Sequence, residues 1–355
     1  MKKILILVII LISVLSLYTT KLCTLNEVRR PSTIGITGNR IFVMDIDKIH
    51  IYSLDNFKFI KSFGTKGDGP GEFKVSIQRP ILLKCVGDKI IVESMDKTLM
   101  FNPDGDLINE RKKSINIYHS YPLKNNLVLI KNKPSIDKES FPITSVGVFD
   151  SRMQLIKTLH QQDFVELSNG PYITFNMGLD FLGVCVYKNK IYVEKSNNES
   201  VVEVFNSEGN RINKFTFPNK NIPLKEFNKK ELIESLKNDS HVQRLLKNAK
   251  VTWEAVSNKF KFIFPKFFPQ IKTMEIDSDK IYIKTFRKEN KKEEYLIFSL
   301  KGDLLKKVYL EPLVKTGVKT TMLGVKLSAI HKGKVFYLKE NFETETWELF
   351  KAKLL

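Results

Sequence analysis

The feature that most constrains this chain is a repeated group of short β-rich runs. Its clearest copy is residues 187–217, YKNKIYVEKSNNESVVEVFNSEGNRINKFTF, in which turns separate three apolar runs. Val, Ile, Tyr and Phe fill these runs, which favours strands over helices. The segment NSEGN at 206–210 contains the Asn and Gly that accept the left-handed backbone of a tight hairpin. The stretch therefore predicts a small antiparallel sheet.

Six segments share this pattern of a turn, a basic or amide residue and a β-rich run. They are NRIFVMD from Asn39, DKIIVES from Asp88, NNLVLIK from Asn125, NKIYVEK from Asn189, DKIYIKT from Asp279 and GKVFYLK from Gly333. A second strand follows each run, and units of about 40 to 50 residues with four strands are typical of β-propellers. The sequence thus predicts an all-β, six-bladed β-propeller over residues 24–355. Residues near Leu25–Ile36 are expected to complete the last blade, which supplies only three strands of its own.

One junction between repeats is more specific than the others. The segment Phe63–Phe73, FGTKGDGPGEF, is followed by Pro80, and it resembles the blade junctions of NHL-repeat six-bladed propellers. The resemblance implies the same fold over roughly residues 30–355. The glycines suit a turn with positive φ. The backbone amides of such a loop could also cradle a phosphate, but the loop lacks the G-K-[ST] ending of a P-loop, so the structural use is favoured.

The N-terminus reads as an export signal. MKK is followed by an apolar run from Ile4 to Tyr18, which matches the n-region and h-region of a signal peptide. No A-x-A-like cleavage site follows, and Lys21 and Leu22 stand where a lipidated Cys23 would need small residues. We expect residues 1–23 to be a signal peptide or a membrane anchor. The protein is then exported to a periplasmic or other extracytoplasmic location, or held at the membrane by its N-terminus.

A short α-helical insertion is predicted at about 219–270, between the fourth and fifth blades. Leu232, Ile233 and Leu236 have helical spacing. The following Phe260–Phe268 segment is strongly aromatic. We expect these rings to pack the insertion against the propeller; the alternative is a lid or a partner-binding patch.

The three cysteines form neither a disulfide framework nor a zinc motif, since they are odd in number and lack C-x-x-C spacing. Cys85 and Cys185 occupy similar places before their repeat runs, so both are predicted on innermost strands as small buried hydrophobic residues.

The net charge of +19 comes from 58 basic and 39 acidic residues. Such an excess is compatible with nucleic acid or with an anionic surface. Lysines account for 49 of the basic residues and arginines for only 9, whereas bidentate phosphate recognition favours arginine. The lysines are also spread over every turn. We therefore expect a diffuse attraction to anionic envelope surfaces and no nucleic-acid partner.

Catalytic motifs are sparse. The five histidines are isolated and no G-x-S-x-G elbow is present. Asp45 and Asp47 form a possible carboxylate pair, but aspartates in such a loop more often form turns.

The leading functional prediction is a non-catalytic binding or scaffold propeller at the cell envelope, monomeric and without a cofactor. Its channel-mouth loops would hold a protein or an anionic envelope ligand. The expected contact residues are basic positions near blade junctions: Lys66, Arg79, Arg111, Lys112 and Lys113. The alternative is a lactonase-like hydrolase or lyase that holds a divalent metal in the central funnel through residues of several blades. Whether the chain is an enzyme stays open, with the non-enzymatic interpretation preferred.

Overall fold

A computed structural model of the protein describes residues 19–74, 81–114, 116–133, 143–163, 173–176, 183–195, 200–217, 221–238, 243, 246–313 and 326–355. Within these ranges the chain forms six four-stranded antiparallel sheets and two small strand pairs. The predicted six-bladed β-propeller is confirmed. The apolar run of the predicted leader, residues 4–18, lies outside the described residues, and no described helix is long and apolar enough to cross a membrane.

Five blades are each built from four consecutive strands, ordered from the channel outwards. Blade one contains β2 (Thr33–Thr37), β3 (Arg40–Met44), β4 (Ile49–Ser53) and β5 (Phe59–Phe63). Blade two contains β8 (Leu82–Val86), β9 (Lys89–Glu93), β10 (Lys97–Phe101) and β11 (Leu107–Lys112). Blade three contains β12 (Ile117–Pro122), β13 (Leu127–Lys133), β14 (Ile143–Phe149) and β15 (Leu155–Asp163). Blade four contains β17 (Val184–Tyr187), β18 (Lys190–Lys195), β19 (Val201–Phe205) and β20 (Arg211–Thr216). Blade five contains β22 (Thr273–Asp277), β23 (Lys280–Glu289), β24 (Lys292–Ser299) and β25 (Leu304–Leu310).

The sixth blade joins the two ends of the chain. Its first three strands are β26 (Ser328–His331), β27 (Lys334–Asn341) and β28 (Thr346–Lys353), and its outermost strand is β1 (Thr20–Leu25). Strand β1 pairs antiparallel with β28, from Thr20 opposite Lys351 to Leu25 opposite Trp347. The closing strand therefore precedes the expected Leu25–Ile36 segment, whose later part is the innermost strand of blade one. Because β1 covers the edge of β28, the ring closes by backbone hydrogen bonds.

The core lies between blades rather than inside any one of them. Along β18, Ile191 and Val193 pack against blade three, whereas Tyr192 packs against blade five. This alternation follows from the two-residue period of a strand, because successive side chains point to opposite faces of the sheet. Each blade thus needs both neighbours to bury its apolar side chains.

The specific junction after blade one has a structural use. Its two short strands, β6 (Thr65–Lys66) and β7 (Glu72–Phe73), pair in parallel, and Phe73 is fully buried between blades one and two. The loop amides are occupied internally, since Gly69 N donates to Glu72 Oε2 at 2.7 Å and Gly71 N donates to Glu110 Oε2 at 2.8 Å. These contacts support the structural interpretation of the glycines over a phosphate cradle.

The insertion between blades four and five contains α1 (Glu226–Lys237) and α2 (Trp253–Ser257). Its strand β21 (Phe260–Ile263) pairs in parallel with β16 (Ile173–Asn176), which lies in the connection between blades three and four. Leu232 of α1 is buried among aromatic residues of the insertion. Phe268 stacks on Phe286 of β23, with ring centroids 5.1 Å apart. The aromatic segment therefore attaches the insertion to blade five, as predicted.

Cys85 and Cys185 lie on the innermost strands β8 and β17, as predicted, but both residues are half-buried rather than fully buried. Both are free thiols. Burial raises the pKa of each thiol to about 12, so both stay protonated at neutral pH.

We expect Leu25→Ala to lower the free energy of unfolding by about 2–5 kcal/mol, the cost of a cavity in a packed core. Leu25 is 1% exposed and packs between blades one and six. Lys21→Ala on the same strand is the control, since the Lys21 side chain is 48% exposed and its loss should cost less than about 1 kcal/mol. Urea unfolding would measure both. A Leu25→Ala effect as small as that of Lys21→Ala would contradict the closing role of β1.

Candidate functional site

The end of the channel at which the innermost strands begin gathers most of the buried charged groups. We call this end the upper mouth. It is defined by the first residues of the innermost strands: Thr33, Leu82, Ile117, Val184, Thr273 and Ser328. Strand β20 ends and β22 begins at this mouth, so the insertion that joins them also starts and ends there.

The carboxylate of Glu93 forms the most enclosed ion-pair cluster at the upper mouth. Its oxygens lie 3.1 Å from Lys84 Nζ and 2.7 Å from Lys113 Nζ. Ser120 Oγ of blade three donates to the same carboxylate at 3.1 Å. Burial alone would raise the pKa of Glu93, but the two ammonium groups outweigh it and lower the pKa to about 2. The cluster therefore holds a fully ionised carboxylate between blades two and three.

A second cluster lies in blade five. Glu293 contacts Lys272 Nζ at 3.0 Å and Lys284 Nζ at 2.5 Å. Burial opposes ionisation of Glu293, yet these two lysines lower its pKa. The neighbouring Glu294 is fully buried and accepts hydrogen bonds from Thr285 Oγ1 at 2.8 Å and from the Tyr309 hydroxyl at 3.2 Å. Glu293 is thus paired with two lysines, although its Oε2 has no geometrically defined hydrogen bond among the described residues, and Glu294 is hydrogen-bonded within its own blade.

A third pair joins blades five and six at the channel wall. Lys326 Nζ lies 2.8 Å from Glu275 Oε2, and the Ile330 amide donates to the same oxygen at 3.2 Å. Burial favours the neutral amine of Lys326, but the attraction of Glu275 is larger and raises the pKa of the ammonium. The pair therefore remains charged.

Glu194 is the exception among these carboxylates. The Glu194 amide donates to the Gly183 carbonyl at 2.8 Å, just before β17 begins. Glu194 is buried, with 2% of its surface exposed. Its Oε1 has no hydrogen-bond partner among the described residues. Burial raises its pKa well above 4.5, because no cation of the described residues offsets the cost of desolvation. Burial therefore favours the neutral form of Glu194, and one of its oxygens is unused among the described residues.

The thiol of Cys185 shows that residues of several blades converge at this place. Burial raises its pKa to about 12; beyond burial, Lys326 and Lys84 lower it while Glu275 and Glu194 raise it. Lys84, Glu194 and Glu275 belong to blades two, four and five, and Lys326 lies two residues before the first strand of blade six. The thiol itself donates to the Met274 carbonyl at 3.2 Å. Its protonated state makes it a poor nucleophile.

The carboxylate pair considered in the sequence separates into structural roles. Asp45 is buried and accepts hydrogen bonds from the amides of Arg29 and Arg30 at 2.9 and 2.7 Å. His50 lies beside it, with Nε2 3.6 Å from the carboxylate, and this supports the turn interpretation. In the described ranges, no group of three or more His, Cys, Asp or Glu residues is placed to hold a metal ion.

The five predicted contact residues are not brought together as one exposed set. Lys66 is exposed in the junction after blade one, and Lys112 is exposed at the end of β11. Arg111 lies on β11 with Nη1 3.7 Å from Met153 Sδ, and Arg79 lies outside the described residues. The side chain of Lys113 is 3% exposed and paired with Glu93. The ligand role of the five residues stays a prediction.

Sequence reasoning missed the buried charges of the upper mouth, although the repeat contains a signal for two of them. Glu93 and Glu194 end the runs DKIIVES and NKIYVEK. Blades one, three and six have Met44, Ile130 and Leu338 at the corresponding position of the repeat. Met44 pairs with Thr33 and Ile130 with His119, and the Leu338 amide donates to the Leu327 carbonyl. A charged residue at a position that is apolar in other repeats indicates a local pairing or a site.

Comparisons with known proteins agree with this architecture. Residues 3–302 match the sequence profile of a family described as a 6-bladed beta-propeller. A predicted exported protein from Bacteroides fragilis NCTC 9343 has a similar crystal structure, with a TM-score of 0.52 and 14% sequence identity over 95% of this chain and 94% of that chain. A member of the DUF4221 family from Bacteroides vulgatus ATCC 8482 gives a TM-score of 0.50 and 9% identity, over 94% of this chain and 96% of that chain. No curated protein matches the sequence.

We expect Glu93→Gln to lower the free energy of unfolding by about 3–5 kcal/mol, since it leaves Lys84 and Lys113 buried without a counter-charge. The control is Glu226→Gln, which removes an exposed partner of Lys229 and should cost less than about 1 kcal/mol. Urea unfolding near neutral pH would measure both. Equal effects of the two substitutions would show that the Glu93 cluster contributes no more than a surface ion pair.

A second prediction concerns pH. The folded chain retains the Glu194 proton above pH 4.5, the ordinary glutamate value, whereas the unfolded chain releases it there. The folded state then binds more protons, so this residue makes the free energy of unfolding fall as pH rises from 4.5 towards the raised folded pKa. Glu194→Gln should remove that component, which urea unfolding at a series of pH values would detect. Glu208→Gln on an exposed hairpin is the control. Parallel pH profiles for wild type and Glu194→Gln would contradict the prediction.

Proposed function

The chain belongs to the DUF5128 family of six-bladed β-propellers. We propose that it is an extracytoplasmic binding propeller that holds an anionic envelope ligand at its upper mouth. The apolar run at 4–18 supports the extracytoplasmic location, and the net charge of +19 and the basic surface of the insertion support an anionic ligand. The exported designation of the structurally similar Bacteroides fragilis protein supports the location. The kinship with NHL-repeat propellers stays a prediction from the junction at Phe63–Phe73.

The observation that carries the proposal is the exposed lysine surface around the upper mouth. The insertion and the long β23–β24 hairpin both lie at this end of the propeller, and their exposed lysines form no ion pair with another described residue. They are Lys225, Lys230, Lys247, Lys250, Lys259, Lys266, Lys288 and Lys291. These lysines outnumber the exposed glutamates of the same segments, which are Glu226, Glu231, Glu234, Glu254 and Glu289. A net positive charge beside a channel mouth attracts anionic ligands.

The buried carboxylates at the mouth favour binding over metal-dependent hydrolysis. Glu93, Glu293 and Glu275 each lie within 3.1 Å of a lysine ammonium. A carboxylate already neutralised by lysine is a weak ligand for a divalent metal, which needs several oxygen donors free to coordinate. The hydrolase alternative would require these ion pairs to open.

Charge reversal would test the proposal with poly-L-glutamate as the soluble anionic probe. The triple variant Lys225→Glu, Lys230→Glu, Lys266→Glu alters exposed residues of the insertion. We expect it to weaken binding at least tenfold in a titration at moderate ionic strength, and added salt should weaken wild-type binding, since surface charges are screened.

The matched control reverses three exposed lysines in hairpins at the opposite end of the propeller. Lys124→Glu, Lys301→Glu, Lys332→Glu changes the total charge by the same amount. We expect this variant to bind nearly as well as wild type. Equal losses in both variants would contradict a site at the upper mouth. No binding by wild type would contradict an anionic ligand and favour a protein recognised by shape and apolar contacts.

A further inference from the structure

The repeat provides an internal comparison for the unpartnered acid of blade four. Glu93 lies opposite Leu82 across the β8–β9 pair. The Glu194 amide bonds to the Gly183 carbonyl across the corresponding β17–β18 pair. Both acids therefore lie at or next to the end of the second strand of a blade, beside the start of its innermost strand. The two carboxyl groups occupy the same position in two repeats.

Their surroundings differ at two positions that can be matched residue by residue. Lys84 is two residues after Leu82, and Cys185 is two residues after Gly183, so the lysine corresponds to the cysteine. Lys113 follows the outermost strand of blade two, and its backbone amide donates to the Asp96 carbonyl. Phe217 follows the outermost strand of blade four, and its backbone amide donates to the Ser200 carbonyl, so the two residues occupy corresponding positions. Both lysines that hold Glu93 are thus replaced by uncharged residues around Glu194.

The position of Glu194 brings its carboxyl group against the start of the innermost strand. A Cβ added to Gly183 would meet Glu194 Oε2 at only 2.3 Å, so this oxygen packs on the backbone of the residue that precedes β17. Its other oxygen, Oε1, has no partner in the part of the chain that the structure describes. A buried polar atom without a partner is costly, and a ligand at the mouth can remove that cost.

We propose that Glu194 is the binding residue of a subsite for a primary ammonium group, in which the ligand's ammonium takes the place that Lys84 and Lys113 take beside Glu93. Binding converts the neutral acid to a carboxylate: the Glu194 proton leaves to solvent as the ammonium of the ligand forms an ion pair with the carboxylate. A compact ammonium with three donors suits one carboxylate. A divalent metal would require several more oxygen ligands.

The nearby lysines do not prevent a cation from binding there. Lys84 is paired with Glu93 and Lys326 with Glu275, so each is compensated at close range. Dissolved salt screens the charges of the exposed insertion lysines at distances beyond one Debye length, roughly 8 Å under physiological conditions. The subsite goes beyond the proposed anionic ligand, because it recognises the opposite charge inside the mouth.

The first experiment uses the full-length chain with ¹³C-labelled glutamate carboxyl groups. Glu194 is identified as the signal lost in Glu194→Gln. We expect n-butylammonium at neutral pH to move this signal from the acid position to the carboxylate position with saturation, and n-butanol, its neutral counterpart, to leave it unchanged. No movement with n-butylammonium, or equal movement with n-butanol, would overturn the proposal.

Variants then separate the subsite from nonspecific pairing. Glu194→Gln should weaken n-butylammonium binding at least tenfold, whereas Glu208→Gln on an exposed hairpin should leave it unchanged. Cys185→Lys supplies an ammonium at the position that corresponds to Lys84, and it should abolish n-butylammonium binding by occupying Glu194. If Cys185→Lys does not fold, the comparison of Glu194→Gln with Glu208→Gln decides. Equal affinity of these two variants would overturn the proposal.

Discussion

The structure depends on the packing of neighbouring sheets against each other around a common channel. A four-stranded blade has two apolar faces and is too small to bury either by itself. Radial stacking buries both, with Ile191 and Val193 facing one neighbour and Tyr192 facing the other. A ring of such sheets is complete only when the last blade meets the first. The pairing of β1 with β28 is the interaction that completes it, and it makes residues near both ends of the chain part of one sheet.

The same arrangement determines where charged residues become costly. At the upper mouth the second strand of each blade passes the start of the innermost strand, so a side chain there faces the neighbouring blade. Blades one, three and six place apolar residues at this position. Blade two places Glu93 there and supplies Lys84 and Lys113 to neutralise it, and blade five places Lys284 there and supplies Glu293. Blade four has Glu194 without a compensating cation in the described ranges, which distinguishes it from the other charged positions.

Much of this architecture could be predicted because it rests on local patterns. The two-residue alternation, the hairpin turns and the spacing of the repeats indicated six blades, and the register before each repeat run placed Cys85 and Cys185 on innermost strands. The closing strand was misplaced because Thr20–Leu25 follows directly on the apolar leader run and carries little β-rich signal of its own. The pairing of Lys113 could not be predicted, since a single sequence does not show that a lysine after an outer strand reaches a buried glutamate 20 residues away.

The number of blades, the insertion between blades four and five and the excess of positive charge follow from the amino-acid sequence, because local periodicity and composition encode them. The three-dimensional packing is needed to tell which buried charges are neutralised and that Glu194 has no compensating cation among the described residues. Ion pairing depends on residues that meet across blades or across a sheet, and burial sets whether a carboxyl group is ionised. Glu93 and Glu194 occupy the same position in nearly identical runs, yet the pKa of Glu93 is lowered by two lysines and the pKa of Glu194 is raised by burial, because the residues that surround them come from elsewhere in the chain.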